Sequence, residues 1–277
     1  MCRELIRLAL EEDIGSGDVT AEYFVPEERM ASACVVARED GVVSGITVAK
    51  EVFLEVDSGL EVRIVNGDGA RVSSGTVLIV VEGKARSIMT AERTALNFIQ
   101  RLSGVATLTS RYVDLVKHTG VGILDTRKTT PGYRLLEKQA VVHGGGINHR
   151  MGLYDRAMVK DNHLATVAAA GELQEAILRL KAERPEVEVE LEADRIDQVR
   201  SFLALAGVDH ILLDNMGLDD MREAVRMRGA SDGIRLEASG GVNLQTVRAI
   251  AETGVDFISV GALTHSAPAM DVALDIA

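Results

Sequence analysis

The first third of the chain mixes helical and strand patterns of apolar residues. Residues 3–12 carry apolar side chains on one helical face, which predicts a short helix. A second helix is predicted over residues 46–56, and residues 87–118 are helical in pattern with a predicted break near Ser103 and Gly104. Strand-like apolar stretches occur at three places: 33–38, 61–65 and 76–82. This order of elements predicts a small α+β unit.

Beyond Gly120 the pattern changes to short apolar strands that alternate with amphipathic helices. Two of these helices end at Gly207 and Gly254, because glycine readily adopts the backbone conformation that closes a helix. Such β/α repeats predict a parallel sheet, either open or closed, and we favour an α/β barrel. The six predicted strands cover residues 122–124, 157–159, 187–191, 210–213, 234–237 and 256–260.

Polar residues follow almost every predicted strand of this second part. In parallel α/β folds the carboxyl ends of the strands meet at one edge, and the active site lies there. The pattern therefore predicts one site that draws residues from six strand ends. The positions are 125–128, 160–162, Glu192, 214–215, 239–241 and Gly261.

Composition excludes several classes of partner. The chain has 277 residues, 47% of them apolar and 26% charged, which is ordinary for a globular protein. Its apolar runs are far shorter than the roughly 20 residues of a membrane span, and the first residues do not form a signal sequence, so we expect a cytoplasmic protein without a membrane partner. The net charge of −12 disfavours nucleic acid. Cys2 and Cys34 have neither metal-ligand spacing nor a disulfide framework.

The cations are concentrated in one segment of this acidic chain. Residues 125–162 contain seven Lys or Arg against four acids, and two of the six histidines, with a third directly after them at position 163. Such a segment is suited to an anionic small molecule. The alternative is ordinary solvated surface charge.

Two motifs in this segment are candidates for anion binding. Thr126, Arg127 and Lys128 follow a strand and offer hydroxyl, guanidinium and ammonium donors, although a surface loop with a Pro-Gly turn is an equally good interpretation. The three glycines 144–146 precede His149 and Arg150. Glycines allow a backbone to approach a ligand closely, so we favour a binding role over a flexible connector.

Charged residues at three further strand ends could act on a ligand. Lys160 could pair with an anion or form a Schiff base, although a lysine at the wet end of a strand is the simpler interpretation. Glu192 and Asp214 end successive strands and could hold Mg²⁺ or bond to ribose hydroxyls, unless they only cap helices. Glycines near the last two strands could hold phosphate, in the segments Ser239, Gly240, Gly241 and Val260, Gly261, Ala262.

The cationic segment resembles the quinolinate phosphoribosyltransferase family. The most specific run is TRKTTPGYRLLEKQAVVHGGGINHRMGLYDRAMVKDNH, from Thr126 to His163. Shorter similar segments extend the resemblance over nearly the whole chain: EEDIGSGDVT, AERTALN, LSGVAT, LLDN, EASGGV and VGALTHS. Ile147 stands where some members of the family carry Lys.

The resemblance implies an organisation that the patterns alone do not give. It implies an N-terminal α/β sandwich domain over residues 1–104, an incomplete α/β barrel over residues 105–265 and a tail over residues 266–277 that returns to the first domain. It also implies a homodimer, or a larger assembly of dimers, in which Arg93 reaches into the partner's site.

The same resemblance implies an activity and roles for the site residues. The activity is transfer of a phosphoribosyl group from phosphoribosyl pyrophosphate to quinolinate, which yields nicotinate mononucleotide, pyrophosphate and CO₂ in NAD biosynthesis. Glu192 and Asp214 are expected to face the ribose and Mg²⁺, and the segments 239–241 and 260–262 to hold phosphate. The residues expected at the acceptor are Thr126, Arg127, Lys128, His149, Arg150 and Lys160.

Three other functions are compatible with parts of this pattern. A relative with the same fold could use a different acceptor, but the intact segments 148–150 and 160–163 argue against it. A Schiff-base aldolase would use Lys160 as its nucleophile. A non-catalytic metabolite sensor would not need both acids and the full set of cations.

Overall fold

The computed structural model describes residues 2–164, 170–229 and 233–276. Their contacts divide the chain into two compact units. The first unit comprises Met1–Ser110, Leu135–Gly145 and Ser266–Ala277. The second comprises Arg111–Arg134 and Gly146–His265.

The described residues form helices and strands along the whole chain. In chain order they are α1 (Cys2–Ile14), α2 (Val19–Phe24), β1 (Met30–Ala37), β2 (Gly41–Val42), α3 (Ile46–Val56), β3 (Glu61–Ile64), β4 (Arg71–Val72), β5 (Val77–Lys84), α4 (Ala85–Val116), β6 (Gly122–Leu124), α5 (Arg134–His143), β7 (Arg156–Val159), α6 (Asp161–Leu164), α7 (Ala170–Glu183), β8 (Glu188–Ala193), α8 (Ile196–Leu203), β9 (His210–Asp214), α9 (Leu218–Arg228), β10 (Arg235–Ser239), α10 (Val247–Ala251), β11 (Phe257–Ser259), α11 (Ala262–His265) and β12 (Val272–Ile276).

The first unit is built on an antiparallel sheet in the order β12-β1-β5-β3. Helix α3 packs against β3 and β5, and α1 packs against α3. Val35 of β1, Ile79 of β5 and Phe53 of α3 are all completely buried. Burying side chains of this size stabilises the fold by about 1.5–3 kcal/mol each, which explains why the alternating apolar pattern of these segments forms the core.

The chain terminus supplies an edge strand to this sheet. Strand β12 pairs antiparallel with β1, in a register that runs from Ala33 opposite Ile276 to Ala37 opposite Val272. Strand β1 is thereby paired on both sides, because β5 occupies its other edge. The backbone groups of β1 are therefore satisfied by two segments that lie far from it in sequence.

Helix α4 runs without interruption through the predicted break at Ser103 and Gly104, so that prediction is wrong. Ser103 is buried, and its Oγ accepts the Ser44 backbone N–H at 2.9 Å and donates to the Ser44 carbonyl at 3.1 Å. A Cβ on Gly104 would lie 1.9 Å from the carbonyl oxygen of Pro268. Ser103 and Gly104 are therefore explained by their contacts with Ser44 and Pro268. They do not mark the end of a helix. The predicted domain boundary at residue 104 falls inside α4.

The second unit contains a parallel six-stranded sheet in the order β6-β11-β10-β9-β8-β7. All six strands lie at or near their predicted positions, and the predicted α/β architecture is confirmed. Within the described residues β6 and β7 end this strand order, and the outer side of β6 carries only an isolated parallel bridge between Leu124 and Ile147, so the barrel is incomplete. Asp214 at the end of β9 stands in register with Ser239 at the end of β10, which brings two predicted site residues to the same edge.

The longest helix, α4, has 32 residues. In the described part of the chain neither it nor any other helix combines the length and the hydrophobicity needed to cross a bilayer.

The close approach at Gly104 gives a prediction for stability. We expect Gly104→Ala to lower the free energy of unfolding by about 1–3 kcal/mol, because the added methyl group must displace the backbone at Pro268. Gly171→Ala is the matched control, since Gly171 also lies in a helix but no atom of the described residues lies within 4 Å of a Cβ placed there. This control should gain up to about 1 kcal/mol from helix propensity. Urea unfolding measures both, and a Gly104→Ala variant as stable as the control would contradict the packing argument.

Candidate active site

A cavity of about 710 Å³ in the second unit collects the predicted strand-end residues. All residues to which the family resemblance gives a role in the site, except Arg93, line it. Arg93 lies on α4 in the first unit, and its side chain is exposed. The cavity is also lined by residues to which the resemblance gives no role: Met158, Leu212, Asn215, Glu237, Val242, Ser259 and His265.

The loop after β6 is held in place by an arginine that sequence analysis did not single out. Arg134 donates from Nε to Thr129 Oγ1 at 2.9 Å and from its terminal nitrogens to the carbonyls of Met151 at 3.0 Å and Arg127 at 3.3 Å. These bonds tie residues 127–129 to the segment that precedes β7. Arg134 therefore positions the loop that carries the cavity cations.

Two guanidinium groups in the cavity are near enough to influence each other. Burial lowers the pKa of Arg150, and the positive charge of Arg127 lowers it further. Arg150 is held by the Arg156 carbonyl at 3.2 Å. Arg127 Nε is buried and has no hydrogen-bond partner among the described residues. Buried donors of this kind normally have a partner, so the pair is suited to an anion that supplies acceptors and offsets the repulsion.

Below these cations lies a buried ionic cluster that sequence analysis did not predict. Glu190 on β8 and Glu237 on β10 are both completely buried. His149 Nε2 lies 3.1 Å from a carboxylate oxygen of Glu190 and 3.4 Å from one of Glu237. Ser259 Oγ donates to Glu237, and a guanidinium nitrogen of Arg156 lies 3.7 Å from Glu190. Acidic residues inside apolar parallel strands were the sequence signal that could have revealed this cluster.

The two glutamates determine the charge of His149. Burial by itself lowers the pKa of His149, but the hydrogen bonds and charges of Glu190 and Glu237 outweigh it and raise the pKa to about 9. The Arg150 backbone N–H, which lies 2.7 Å from Nδ1, opposes protonation. The three residues place ligand-type atoms within 4.8 Å of one another, but a protonated imidazole has no lone pair for a metal ion. We interpret the cluster as an ion pair.

Asp125 anchors the chain segment that carries His149. It is fully buried at the end of β6. Its carboxylate accepts the Asn148 side-chain amide at 2.6 Å and the His149 backbone N–H at 2.9 Å. The segment 148–150 is therefore fixed to β6 by Asp125 and to β8 and β10 through the His149 ring.

The glycine at position 144 is explained by packing within the protein, without a ligand. A Cβ at this position would lie 2.3 Å from the carbonyl oxygen of Ala106 in α4. The glycines 144–146 are not among the cavity residues. The tight packing of Gly144 explains that glycine better than the binding role predicted for the three.

The remaining charged residues lie at the carboxyl ends of β7, β8 and β9. Lys160 Nζ is 3.1 Å from a carboxylate oxygen of Glu192, with the lysine side chain 46% exposed. Asp214 accepts a hydrogen bond of 2.9 Å from the side-chain amide of Asn215. Carboxylates and a lysine therefore share this part of the cavity.

The two segments predicted to bind phosphate contain glycines, whose backbone is not covered by a side chain. Gly240 and Gly241 have φ angles of 90° and 62°, a conformation that side chains disfavour. A Cβ on Gly261 would lie 3.1 Å from Lys128 Cδ, so this glycine leaves room for the lysine. Thr264 Oγ1 donates to the Lys128 carbonyl at 2.7 Å. The lysine is thereby held beside the second glycine segment.

Comparison with known proteins identifies the family of this chain. Residues 105–275 match the family model "Quinolinate phosphoribosyl transferase, C-terminal domain", and residues 18–103 match the N-terminal domain of the same family. The chain is 44% identical over 278 residues to nicotinate-nucleotide pyrophosphorylase [carboxylating] of Mycobacterium leprae, which covers 99% of this chain and 96% of that protein.

Two further proteins extend the comparison. Quinolinate phosphoribosyltransferase [decarboxylating] 2, mitochondrial, of Nicotiana glauca is 42% identical, with 99% of this chain and 82% of that protein covered. The solved structure of the nicotinate-nucleotide pyrophosphorylase from Francisella tularensis has a TM-score of 0.93 and 38% identity, and the match covers 100% of this chain and 96% of that one. The chain belongs to the quinolinate phosphoribosyltransferase family.

Proposed function

We propose that this chain transfers the phosphoribosyl group of phosphoribosyl pyrophosphate to the ring nitrogen of quinolinate. The products are nicotinate mononucleotide, pyrophosphate and CO₂. The observation that carries the proposal is the cavity itself, where the buried Nε of Arg127 has no partner among the described residues and the charge of Arg127 disfavours that of Arg150. A ligand with two carboxylates would satisfy both groups.

The acceptor end of the cavity suits quinolinate by charge. Arg127 and Arg150 can each offer a carboxylate two parallel hydrogen bonds, and such charge-assisted bonds are the strong ones. Lys128 and Lys160 add two ammonium groups that line the same cavity. Because these cations surround one volume, the free energy of binding depends on the number of negative charges that the acceptor brings.

The donor end combines acidic residues with glycine backbone. Glu192 and Asp214 would hold Mg²⁺, directly or through water, because magnesium prefers oxygen ligands and commonly uses one or two carboxylates together with substrate phosphates. When bound, Mg²⁺ would offset the charge of the departing pyrophosphate. The segments 239–241 and 260–262 would bind phosphate groups through open backbone.

The chain's own residues suit the chemistry of each step. Pyrophosphate leaves from C1 of the ribose, a bond forms from the quinolinate nitrogen to C1, and fixed charges position the two reactants. The ring nitrogen is then positive, so the neighbouring carboxylate can leave as CO₂ with its electron pair held beside that nitrogen. The ring carbon finally takes up a proton. No step requires a general base, which agrees with a histidine that two buried glutamates keep protonated.

The Schiff-base aldolase is not favoured. A lysine that forms a Schiff base reacts as a neutral amine, usually in an apolar or cationic environment. Lys160 instead lies 3.1 Å from a carboxylate and is about half exposed.

A homodimer with shared sites and a cytoplasmic location are further parts of the proposal. Helix α2 is tied to α4, the helix of Arg93, because Arg86 donates to the carbonyls of Val25 and Glu22. Three of the six residues of α2 expose large apolar side chains: Val19, Tyr23 and Phe24, at 64%, 80% and 81%. Exposed apolar groups that lie together in this way mark interfaces.

Turnover tests the activity directly. With quinolinate, phosphoribosyl pyrophosphate and Mg²⁺ we expect CO₂ and nicotinate mononucleotide in equal amounts. Nicotinate should be used at least about a hundredfold less well in kcat/KM, because a missing carboxylate leaves buried cations unpaired. Comparable kcat/KM values for the two acids would argue against the two-carboxylate site, and trapping by borohydride would favour the aldolase.

Mixing two inactive variants tests the shared site. Arg93→Ala and Lys160→Ala should each be nearly inactive, because every site of either homodimer lacks a cation. After co-refolding in equal amounts about half of the dimers are mixed, and about a quarter of all sites are intact if Arg93 acts in the partner's site. Activity should therefore recover to about a quarter of the wild-type value. No recovery would mean that Arg93 acts within its own subunit or is not part of the site.

The charge of His149 can be measured by NMR titration of its ring. We expect the ring to stay protonated through pH 7.5, because its pKa is raised to about 9. A raised pKa stabilises the folded state fully below the ordinary value of 6.5, and this contribution is lost as the pH rises through about 9.

Two carboxamide variants provide the comparison for this titration. Glu237→Gln should lower the His149 pKa. Glu252→Gln should leave it unchanged, because Glu252 contacts the exposed His118 instead. A wild-type His149 that titrates near 6.5 would refute the cationic assignment.

A further inference from the structure

Asn215 has an unusual backbone conformation in the cavity. Among the described residues it is the one non-glycine residue with a positive φ, 53°. Asparagine tolerates this left-handed region better than most residues, yet the conformation remains uncommon and often occurs at functional sites. Asn215 follows directly after Asp214, and both residues line the cavity.

Hydrogen bonds hold Asn215 at both its main chain and its side chain. Its backbone N–H donates to the Ser239 carbonyl at 2.9 Å, which links the end of β9 to the end of β10. Its side-chain Nδ2 donates to Asp214 Oδ2 at 2.9 Å. The left-handed backbone thus turns the amide back onto the carboxylate of the preceding residue.

Gly240 leaves the space that the Asn215 side chain occupies. A Cβ on Gly240 would lie 2.2 Å from Asn215 Oδ1 and 2.4 Å from Asn215 Cγ. Contacts of this length are sterically forbidden, so a side chain at position 240 and the amide of Asn215 exclude each other. Glycine at 240 is therefore required by Asn215 in addition to any contact with phosphate.

We propose that Asn215 is a positioning residue that fixes the orientation of the Asp214 carboxylate, with Gly240 as the space that admits its amide. This inference rests on the proposed function, which assigns Asp214 to the phosphoribosyl donor. The amide engages Oδ2, so this inference assigns Oδ1 to the donor. A carboxylate held in one orientation before the donor arrives loses less rotational freedom on binding.

Two substitutions separate the effect of the Asn215 side-chain amide from the effect of its left-handed backbone conformation. Asn215→Gly keeps access to the left-handed conformation and removes the amide, whereas Asn215→Asp keeps the shape and replaces the donor by a second negative charge. We expect either variant to raise the KM for phosphoribosyl pyrophosphate by about tenfold, the usual effect of one lost hydrogen bond to a charged group, and to leave the KM for quinolinate within about twofold. Asn66→Gly is the matched control, because Asn66 lies in the first unit and its amide donates to the Val77 carbonyl.

Asp214→Asn, measured in parallel, distinguishes failure of this inference from failure of the proposed function. If Asp214→Asn raises the donor KM and Asn215→Gly does not, the positioning role is wrong and the donor assignment of Asp214 stands. If Asp214→Asn changes neither the donor KM nor kcat, the donor assignment fails and the positioning role fails with it.

Folding and general damage to the site are checked separately. Equal increases in the KM values of both substrates would indicate a distorted site and would overturn the positioning role. If Asn215→Gly does not fold, as judged by its thermal unfolding, Asn215→Asp decides by the same split between the two KM values.

Discussion

Glu190 and Glu237 are buried inside the parallel sheet of the second unit, where an ionised carboxylate is costly unless a cation pairs with it. His149 supplies that charge by bridging both glutamates, and Arg156 lies beside Glu190. This pairing fixes the segment that carries Arg150. The position of the cavity cations therefore depends on an ionic cluster beneath them. Removing one member would leave an uncompensated charge in the interior.

In the cluster of His149, Arg156 and the two glutamates, positive and negative charges offset each other. The arginines Arg127 and Arg150, which line the cavity, are in a different situation. The positive charge of Arg127 adds to burial in lowering the pKa of Arg150, and a buried nitrogen of Arg127 has no partner among the described residues. Lys160 differs because it already contacts Glu192. An anionic acceptor therefore gains most from the two arginines. It must compete with a carboxylate of the protein for the lysine.

The charges of the site suit the proposed reaction, which needs no general base. The family to which the chain belongs joins a dianionic acceptor to a donor that loses pyrophosphate. In the proposed mechanism, fixed charges of the cavity position the two reactants. Charges that are fixed before the reaction usually make the largest contribution to the rate enhancement of an enzyme. The carboxyl ends of parallel strands readily hold charged side chains in such fixed positions.

The sequence by itself determined which segments are buried and where the site lies. Periodicity predicted α3 and β6 at their observed bounds, because a repeating apolar pattern records how one segment meets its surroundings. Polar residues after apolar strands identified the cavity, since the carboxyl ends of parallel strands share one edge. Similarity of the motifs identified the family.

Tertiary structure decided which segments meet. The break predicted at Gly104 does not exist, because the backbone of Pro268, distant in sequence, requires a residue without a side chain there. Strand β12 pairs with β1 across nearly the whole chain length. The partners of His149 come from two other strands, and the amide of Asn215 needs the space at Gly240. A local pattern shows that a residue is buried or lacks a side chain, but only the folded chain shows what it contacts.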